Sequence, residues 1–290
     1  MKVSVIVPTY NRPAALRLCL MSLARQSRIP EEVLVADDGS GPETAAVIRD
    51  FADSAECPFG LRHVWQEDDG FRKPKILNET VRRSTGDFLV FIDGDCMAHR
   101  EFIRSHILSS APDVMASGKR VDLGSRLTEK VLKRGRPLMA LSLPLIIDSI
   151  VSDTRKAEEA LRIANPALRR LLHRDAITDD GIWGCNFSVH RELFYAINGC
   201  DEDFRDGSIE DNDLGIRVLN YGGRLQSVRA LAIVFHLWHR STWSFANEKF
   251  FRNKEILDRR IACKEFRCEN GIVPRPVNAG PETGNPGDQP

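Results

Sequence analysis

The sequence predicts an α/β protein with a mostly parallel central sheet flanked by helices. Short β-branched apolar runs alternate with stretches of helical period through the first hundred residues. Several of these runs are apolar at every position, as strands covered on both faces are. A third observation bears on function. Three strand ends carry polar clusters, at 8–12, 37–40 and 93–95. Open parallel sheets bind ligands beyond the carboxyl ends of their strands.

The elements follow in order. Residues 3–7 form a first strand, and Pro13 suits the first turn of the next helix, where a missing N–H costs nothing. Leu16, Leu20 and Leu23 recur there at helical spacing. Residues 33–36 form a second strand closed by Asp37-Asp38-Gly39-Ser40, and Val47, Ile48 and Phe51 mark a second helix. Residues 61–65 read as a strand, 76–83 as a helix and 88–92 as a fourth strand. After residue 118 the pattern loosens into an Arg-, Lys- and Leu-rich insertion, 119–180. Within it, 138–151 is apolar but shorter than the ~20 residues of a membrane span. With Lys133, Arg134 and Arg136 just before it, this stretch reads as a buried helix or as a surface-lying membrane or acceptor contact. Strand-like runs return at 185–190 and 225–235, and 245–266 is a charged amphipathic helix. The Pro- and Gly-rich 269–290 reads as a disordered tail, which leaves 181–268 as the second half of the fold.

Composition narrows the function. Lys plus Arg and Asp plus Glu number 41 each, so the 290-residue chain lacks the basic excess of a general nucleic-acid binder. The N-terminal apolar run is too short for a signal peptide core, so a cytoplasmic protein is expected, peripheral at the inner face of the membrane if 138–151 touches lipid. Seven cysteines without a Cys-x-x-Cys pair argue for reduced thiols rather than a disulfide framework or zinc ribbon.

Four motifs carry chemistry. Asp93-Gly94-Asp95 ends an apolar strand, and its carboxylates suit Mg²⁺ or Mn²⁺ as well as an acidic turn. Glu210-Asp211 opens a helix, either as a general base or as an acidic cap favoured by the dipole. His236 and His239 offer imidazole to a borderline divalent ion. Phe71-Arg72-Lys73-Pro74-Lys75 places three cations at a helix entrance, where phosphate binds well. No Walker loop or Gly-x-Gly-x-x-Gly fingerprint follows any strand.

The order of these motifs is recognisable. With VSVIVPTYNRP at 3–13, VLVADDGS at 33–40, QEDDGFRKPKILNETVRRSTGDFLVFIDGDC at 66–96, GCNFSVHRELFYAINGCDEDF at 184–204 and EDNDLGIRVLNYGG at 210–223, the chain resembles family 2 glycosyltransferases of the GT-A fold. Its second half is similar to the galactosyltransferase C-terminal region. The resemblance implies that 1–118 is a nucleotide-sugar-binding half and 181–268 an acceptor-binding and catalytic half. Pro8, Tyr10 and Arg12 would line the nucleotide, Asp38 would bond the base edge, and Phe71, Lys73 and Lys75 would line the nucleotide and its phosphates. Lys73 stands where the family has Arg, which removes a bidentate fork. Asp93 would face the ribose or a metal-bound water, Gly94 would line the nucleotide-sugar, and Asp95 would face the metal, Mn²⁺ or Mg²⁺, with His236 as a second ligand and His239 as its alternative. Asp211 would be the catalytic base beside Glu210. Asp206-Gly207-Ser208-Ile209 replaces the family's Trp-Gly-Gly run, so Trp183 or Trp238 would take over acceptor stacking, with Asn186 and His239 nearby.

The implied reaction moves a sugar from a nucleoside-diphosphate sugar, UDP favoured, to a hydroxyl of a saccharide or glycolipid with inversion, in surface polysaccharide or lipopolysaccharide assembly. Two rivals read the same residues differently. A haloacid-dehalogenase-like phosphatase would use Asp93 as phosphoryl acceptor. A non-catalytic nucleotide-sugar-binding module would tolerate a broken acidic set, yet Asp38, Asp93, Asp95, Asp211 and His236 all stand.

Overall fold

The computed structural model describes residues 1–177, 181–205, 209–240 and 248–273. The chain runs through β1 (Val3–Thr9), α1 (Pro13–Leu23), β2 (Glu32–Asp37), α2 (Pro42–Ala52), β3 (Gly60–Trp65), α3 (Lys73–Arg83), β4 (Phe88–Phe91) and β5 (Cys96–Ala98). It continues with α4 (Phe102–Leu108), β6 (Val114–Ser117), β7 (Arg120–Asp122), α5 (Ser125–Arg134), α6 (Leu143–Val151) and α7 (Pro166–Leu171). The last elements are β8 (Phe187–His190), α8 (Arg191–Ala196), α9 (Glu210–Asn220), β9 (Arg224–Ser227), β10 (Val234–His236) and α10 (Glu248–Cys263).

Seven strands form one sheet in the order β3-β2-β1-β4-β8-β6-β9. The first four are parallel, and β8 runs antiparallel between β4 and β6. Strands from the second half of the chain therefore complete the sheet begun by the first. Every residue of β1 is buried. Val3, Val5 and Val7 face one apolar layer with α1 and α2, while Ile6 joins a second layer beneath α3, α8 and α9. A strand covered on both faces has no need of alternation. A smaller sheet, β5-β10-β7, stands beside the first.

The apolar run 225–235 is not one strand. It divides into β9 and β10, which belong to different sheets, and Ala230 at φ 60° lies in the turn between them. The stretch 138–151 is not a buried helix either, because α6 buries only Leu145 and Asp148. The tail begins later than composition suggests. Asn270 accepts from the Glu202 N–H at 2.8 Å, and Ile272 is buried with its N–H on the Asn198 carbonyl at 2.8 Å. Residues 274–290 lie outside the described residues. Among the described residues no helix is long and apolar enough to cross a membrane, and the seven cysteines are free thiols.

One buried charge cluster ties α9 to α10. Asp213 pairs with Arg217 Nε at 2.7 Å and with Arg260 Nε at 2.6 Å, and Arg260 also pairs with Asp201. All four side chains are at most 3% exposed. Burial, and then the charge of Asp213, pushes the Asp201 carboxyl up to about 6. Asp213→Ala would leave two guanidinium groups buried without their shared counter-charge, which costs about 3–5 kcal/mol. Urea unfolding should show this loss as a lower midpoint with an unchanged slope.

Candidate functional site

The adjacent carboxyl ends of β2, β1 and β4 open into a cleft of about 630 Å³. Local geometry demands small or fixed residues here. Gly94 donates its N–H to the Pro8 carbonyl at 2.8 Å, and a Cβ at this position would stand 2.9 Å from that same oxygen. Only glycine lets the β4 end lie this close to the β1 end.

Pro8, Tyr10, Asp38 and Phe71 line one end of the cleft. The Tyr10 hydroxyl donates to Asp68 Oδ2 at 2.9 Å. Asp38 accepts from the Arg72 N–H at 2.8 Å and from the Gln66 amide, yet burial still pushes its carboxyl above the ordinary value. Its neighbour Asp37 turns away, accepting from the Ser40 N–H at 2.8 Å and meeting His63 Nε2 at 2.8 Å. Of the two aspartates, Asp38 is the one in the cleft.

Lys73 and Ile76, in the first turn of α3, line the middle. Lys73 Nζ pairs with Asp93 Oδ1 at 3.1 Å. Burial alone would lower the ammonium's pKa, but Asp93, Asp211 and Glu210 outweigh it and hold the group well above its usual value. A permanent cation at a helix N-terminus is a ready diphosphate contact.

Asp95 occupies the other end. Its Oδ1 lies 3.5 Å from His236 Nε2 and its Oδ2 3.4 Å from His239 Nε2, while Arg12 donates to Oδ2 at 2.9 Å. Burial works to raise the Asp95 carboxyl, but His236, Arg12 and His239 together hold it well below the carboxylate range. Donor atoms of Asp95, His236 and His239 all lie within 4.8 Å of one another. One carboxylate and two imidazoles form a donor set that fits a divalent cation. Both histidines reach the point that the sequence offered as a choice between them. Asp122 Oδ1 faces the other ring nitrogen of His236 at 3.9 Å.

The acidic pair stands behind Lys73. Asp211 Oδ2 accepts the Gly184 N–H at 2.7 Å, and a Cβ on Gly184 would fall 2.3 Å from Asp211 Oδ1. No side chain caps α9, whose entry residue Ile209 takes the left-handed φ of 54°. The carboxylate is therefore held by a separate segment rather than spent on its own helix terminus. Burial, then the Asp211 charge, pushes the Glu210 carboxyl up to about 7 despite Lys73. Burial also raises Asp211, and Asp93 adds to the effect.

Lys75 and Asn186 turn away from the cleft, and Glu210, Asp211, His236, Trp183 and Trp238 are not among the residues that line it. Lys75 is exposed and lines a separate hollow with Asp69 and Glu202, because two steps along α3 turn it away from Lys73. Asn186 is fully buried, and its amide is consumed by His106 at 3.1 Å and by the carbonyls of Lys119 and Ala232 at 2.9 and 2.8 Å. Trp183 is half-buried with Lys156 Nζ 4.2 Å from its ring centre. Trp238 is exposed, and its carbonyl accepts from Arg12 at 3.4 Å. Residues 206–208 lie outside the described residues. The sequence reading missed Asp68, Asp122 and Gly184. The first and last stand inside the quoted segments, whereas Asp122 has no motif to announce it.

Known proteins resemble this chain in sequence and in fold. The family described as glycosyl transferase family 2 matches residues 4–197, and that described as the N-terminal domain of galactosyltransferase matches 176–240. Validoxylamine A glucosyltransferase of Streptomyces hygroscopicus subsp. limoneus is 30% identical over 233 residues, covering 76% of this chain and 48% of that protein. Chondroitin synthase of Escherichia coli is 24% identical over 250 residues, covering 80% of this chain and 34% of that protein. The chain thus spans about half the length of the first relative and a third of the second. In fold it resembles the mannosyltransferase PcManGT from Pyrobaculum calidifontis in complex with GDP-Man and Mn²⁺, with a TM-score of 0.55 at 19% identity, over 83% of this chain and 58% of that one. It also resembles S. aureus TarS 1-349 in complex with UDP-GlcNAc, with a TM-score of 0.53 at 18% identity, over 94% and 69%.

The convergence on Asp95 has a direct consequence in solution. His236→Ala should weaken Mn²⁺ binding at least ~10-fold, the scale on which changes around a metal site act. Lys75→Ala should leave it unchanged. Titration calorimetry with Mn²⁺ alone measures both.

Proposed function

The chain belongs to glycosyl transferase family 2, and from that membership we propose a metal-dependent inverting glycosyltransferase that uses a nucleoside-diphosphate sugar. The observation that carries this reading is a cleft lined by Lys73, Asp93 and Asp95 with two charge sites of different kinds against those residues. The Asp95–His236–His239 set collects a cation, and the Glu210–Asp211 pair shares the charge of Lys73 with Asp93. Family membership also displaces the phosphatase reading of Asp93, which is ion-paired to Lys73.

Each residue then has a task. Pro8, Tyr10 and Phe71 sandwich the base, and Asp38 bonds its edge. Lys73 holds the diphosphate by charge. Asp95 and the two histidines would hold a divalent ion, which would supply charge neutralisation for the departing nucleoside diphosphate. Asp211 takes the proton of the acceptor hydroxyl as that oxygen attacks the anomeric carbon, which inverts the centre in one displacement. Burial raises its pKa above the ordinary carboxylate value, which strengthens it as a base, and the Gly184 N–H fixes one of its oxygens. Trp238, exposed beside Arg12, offers a stacking face to an acceptor sugar. UDP is the preferred donor nucleotide, and the acceptor is a saccharide or glycolipid of a surface polysaccharide.

Asp211→Asn tests the central role. Asn retains an oxygen for the Gly184 N–H, so protection against thermal unfolding by UDP with Mn²⁺ should persist while turnover falls roughly 10²–10⁴-fold. A folded, UDP-binding variant with parental turnover contradicts the assignment. The pH profile is a second check. The coupled carboxyls lose their protons above the ordinary carboxylate range, so kcat/KM should rise with pH through about 7. Glu210→Gln removes the carboxyl that burial and the Asp211 charge hold up to about 7, so that limb should move to the lower pH at which Asp211 itself ionises.

A further inference from the structure

Helix α6 is amphipathic in the inverted sense. Leu145, fully buried, and Asp148 hold it to the body, and Asp148 Oδ2 accepts the Thr154 hydroxyl at 2.6 Å. Its apolar stripe faces solvent. Leu143, Ile146, Ile147, Ile150 and Val151 recur at i, i+3, i+4, i+7 and i+8, and Leu143, Ile150 and Val151 are 68%, 75% and 67% exposed. A helix of a soluble domain turns such a stripe inward. Five aliphatic side chains on one exposed face imply an apolar partner.

The surroundings identify that partner. Helix α5 contacts α6 and ends at Gly135, which takes the left-handed φ of 60°. Lys130, Lys133, Arg134 and Arg136 are exposed in this region. Residues 126–136 hold five basic side chains against one acidic, in a chain whose total charge is zero. Apolar side chains beside concentrated positive charge match the acyl boundary and headgroups of an anionic bilayer. The C–H faces of a glycan stack on aromatic rings, whereas this stripe holds only aliphatic side chains. A second copy docked through α6 would bring a second basic helix end to the same interface, since a two-fold contact uses the same patch on both copies.

We propose that α6 and the basic end of α5 dock this protein on an anionic membrane surface, with α6 lying in the interface plane. The inference rests on the exposed stripe and its charged flank, not on the catalytic reading, and its readout involves no turnover.

Cosedimentation with vesicles tests it. The full chain should bind vesicles of phosphatidylcholine mixed with phosphatidylglycerol, bind phosphatidylcholine alone far more weakly, and be released from the mixed vesicles by high salt. Ile147→Asn with Ile150→Asn should abolish binding without lowering the melting temperature, because both side chains are exposed. Lys133→Gln with Arg134→Gln should weaken partitioning roughly 25-fold, from the ~1 kcal/mol that each basic residue contributes at such a surface. Absence of binding at low salt overturns the proposal, as does undiminished binding by the isoleucine double variant. Equal binding to neutral vesicles, or a dimer in light scattering that the isoleucine variant dissolves, overturns it too. Protection by UDP with Mn²⁺, measured on the same samples, reports separately on the catalytic reading.

Discussion

The convergence of Asp95 and His236 depends on the register of a three-residue strand. β10 lies antiparallel to β5 and parallel to β7, with His236 opposite Cys96 on one side and Asp122 on the other. The Leu237 N–H bonds the Asp95 carbonyl and the Leu123 N–H bonds the His236 carbonyl, both at 2.9 Å. A slip of one residue would exchange the faces of the strand and turn His236 away from Asp95. Phe235 and Leu237, both fully buried, oppose such a slip because it would send them out of the core. Apolar packing thus sets the distance between a carboxylate at residue 95 and an imidazole at residue 236.

The remaining charges are organised around that point by compensation. Arg12 satisfies Asp95, Lys73 satisfies Asp93, and Lys73 also faces Glu210 and Asp211. Removing any one of these cations leaves carboxylates in a poorly solvated place, which is costly. The α9–α10 cluster has a related part. Asp213 lies two residues beyond Asp211, so the buried pairs to Arg217 and Arg260 fix the helix turn that presents the acidic pair. Stability and chemistry share one helix start.

Much of this was legible in the sequence, for identifiable reasons. Continuous apolar runs revealed strands buried on both faces, and polar strand ends marked the cleft. Spacing motifs placed Asp93, Asp95 and Asp211, but spacing does not report helical phase. Lys75 fits the motif yet points away from Lys73, and Asn186 sits in the matching segment but serves three buried hydrogen bonds. Asp122 and Gly184 act only through contacts made when distant strands and loops meet. Periodicity revealed the stripe of α6, while its outward orientation depends on which residues, Leu145 and Asp148, found partners in the body.

The most direct test of the shared-cation account is pulsed electron paramagnetic resonance of Mn²⁺ on the intact protein with UDP present. The expected spectrum shows nitrogen couplings from imidazole together with phosphorus coupling from the diphosphate, and His236→Ala reduces the nitrogen signal while the phosphorus signal remains. Bound Mn²⁺ with phosphorus coupling but no imidazole nitrogen would contradict the account, because the metal would then sit away from the point where Asp95 and the two histidines converge.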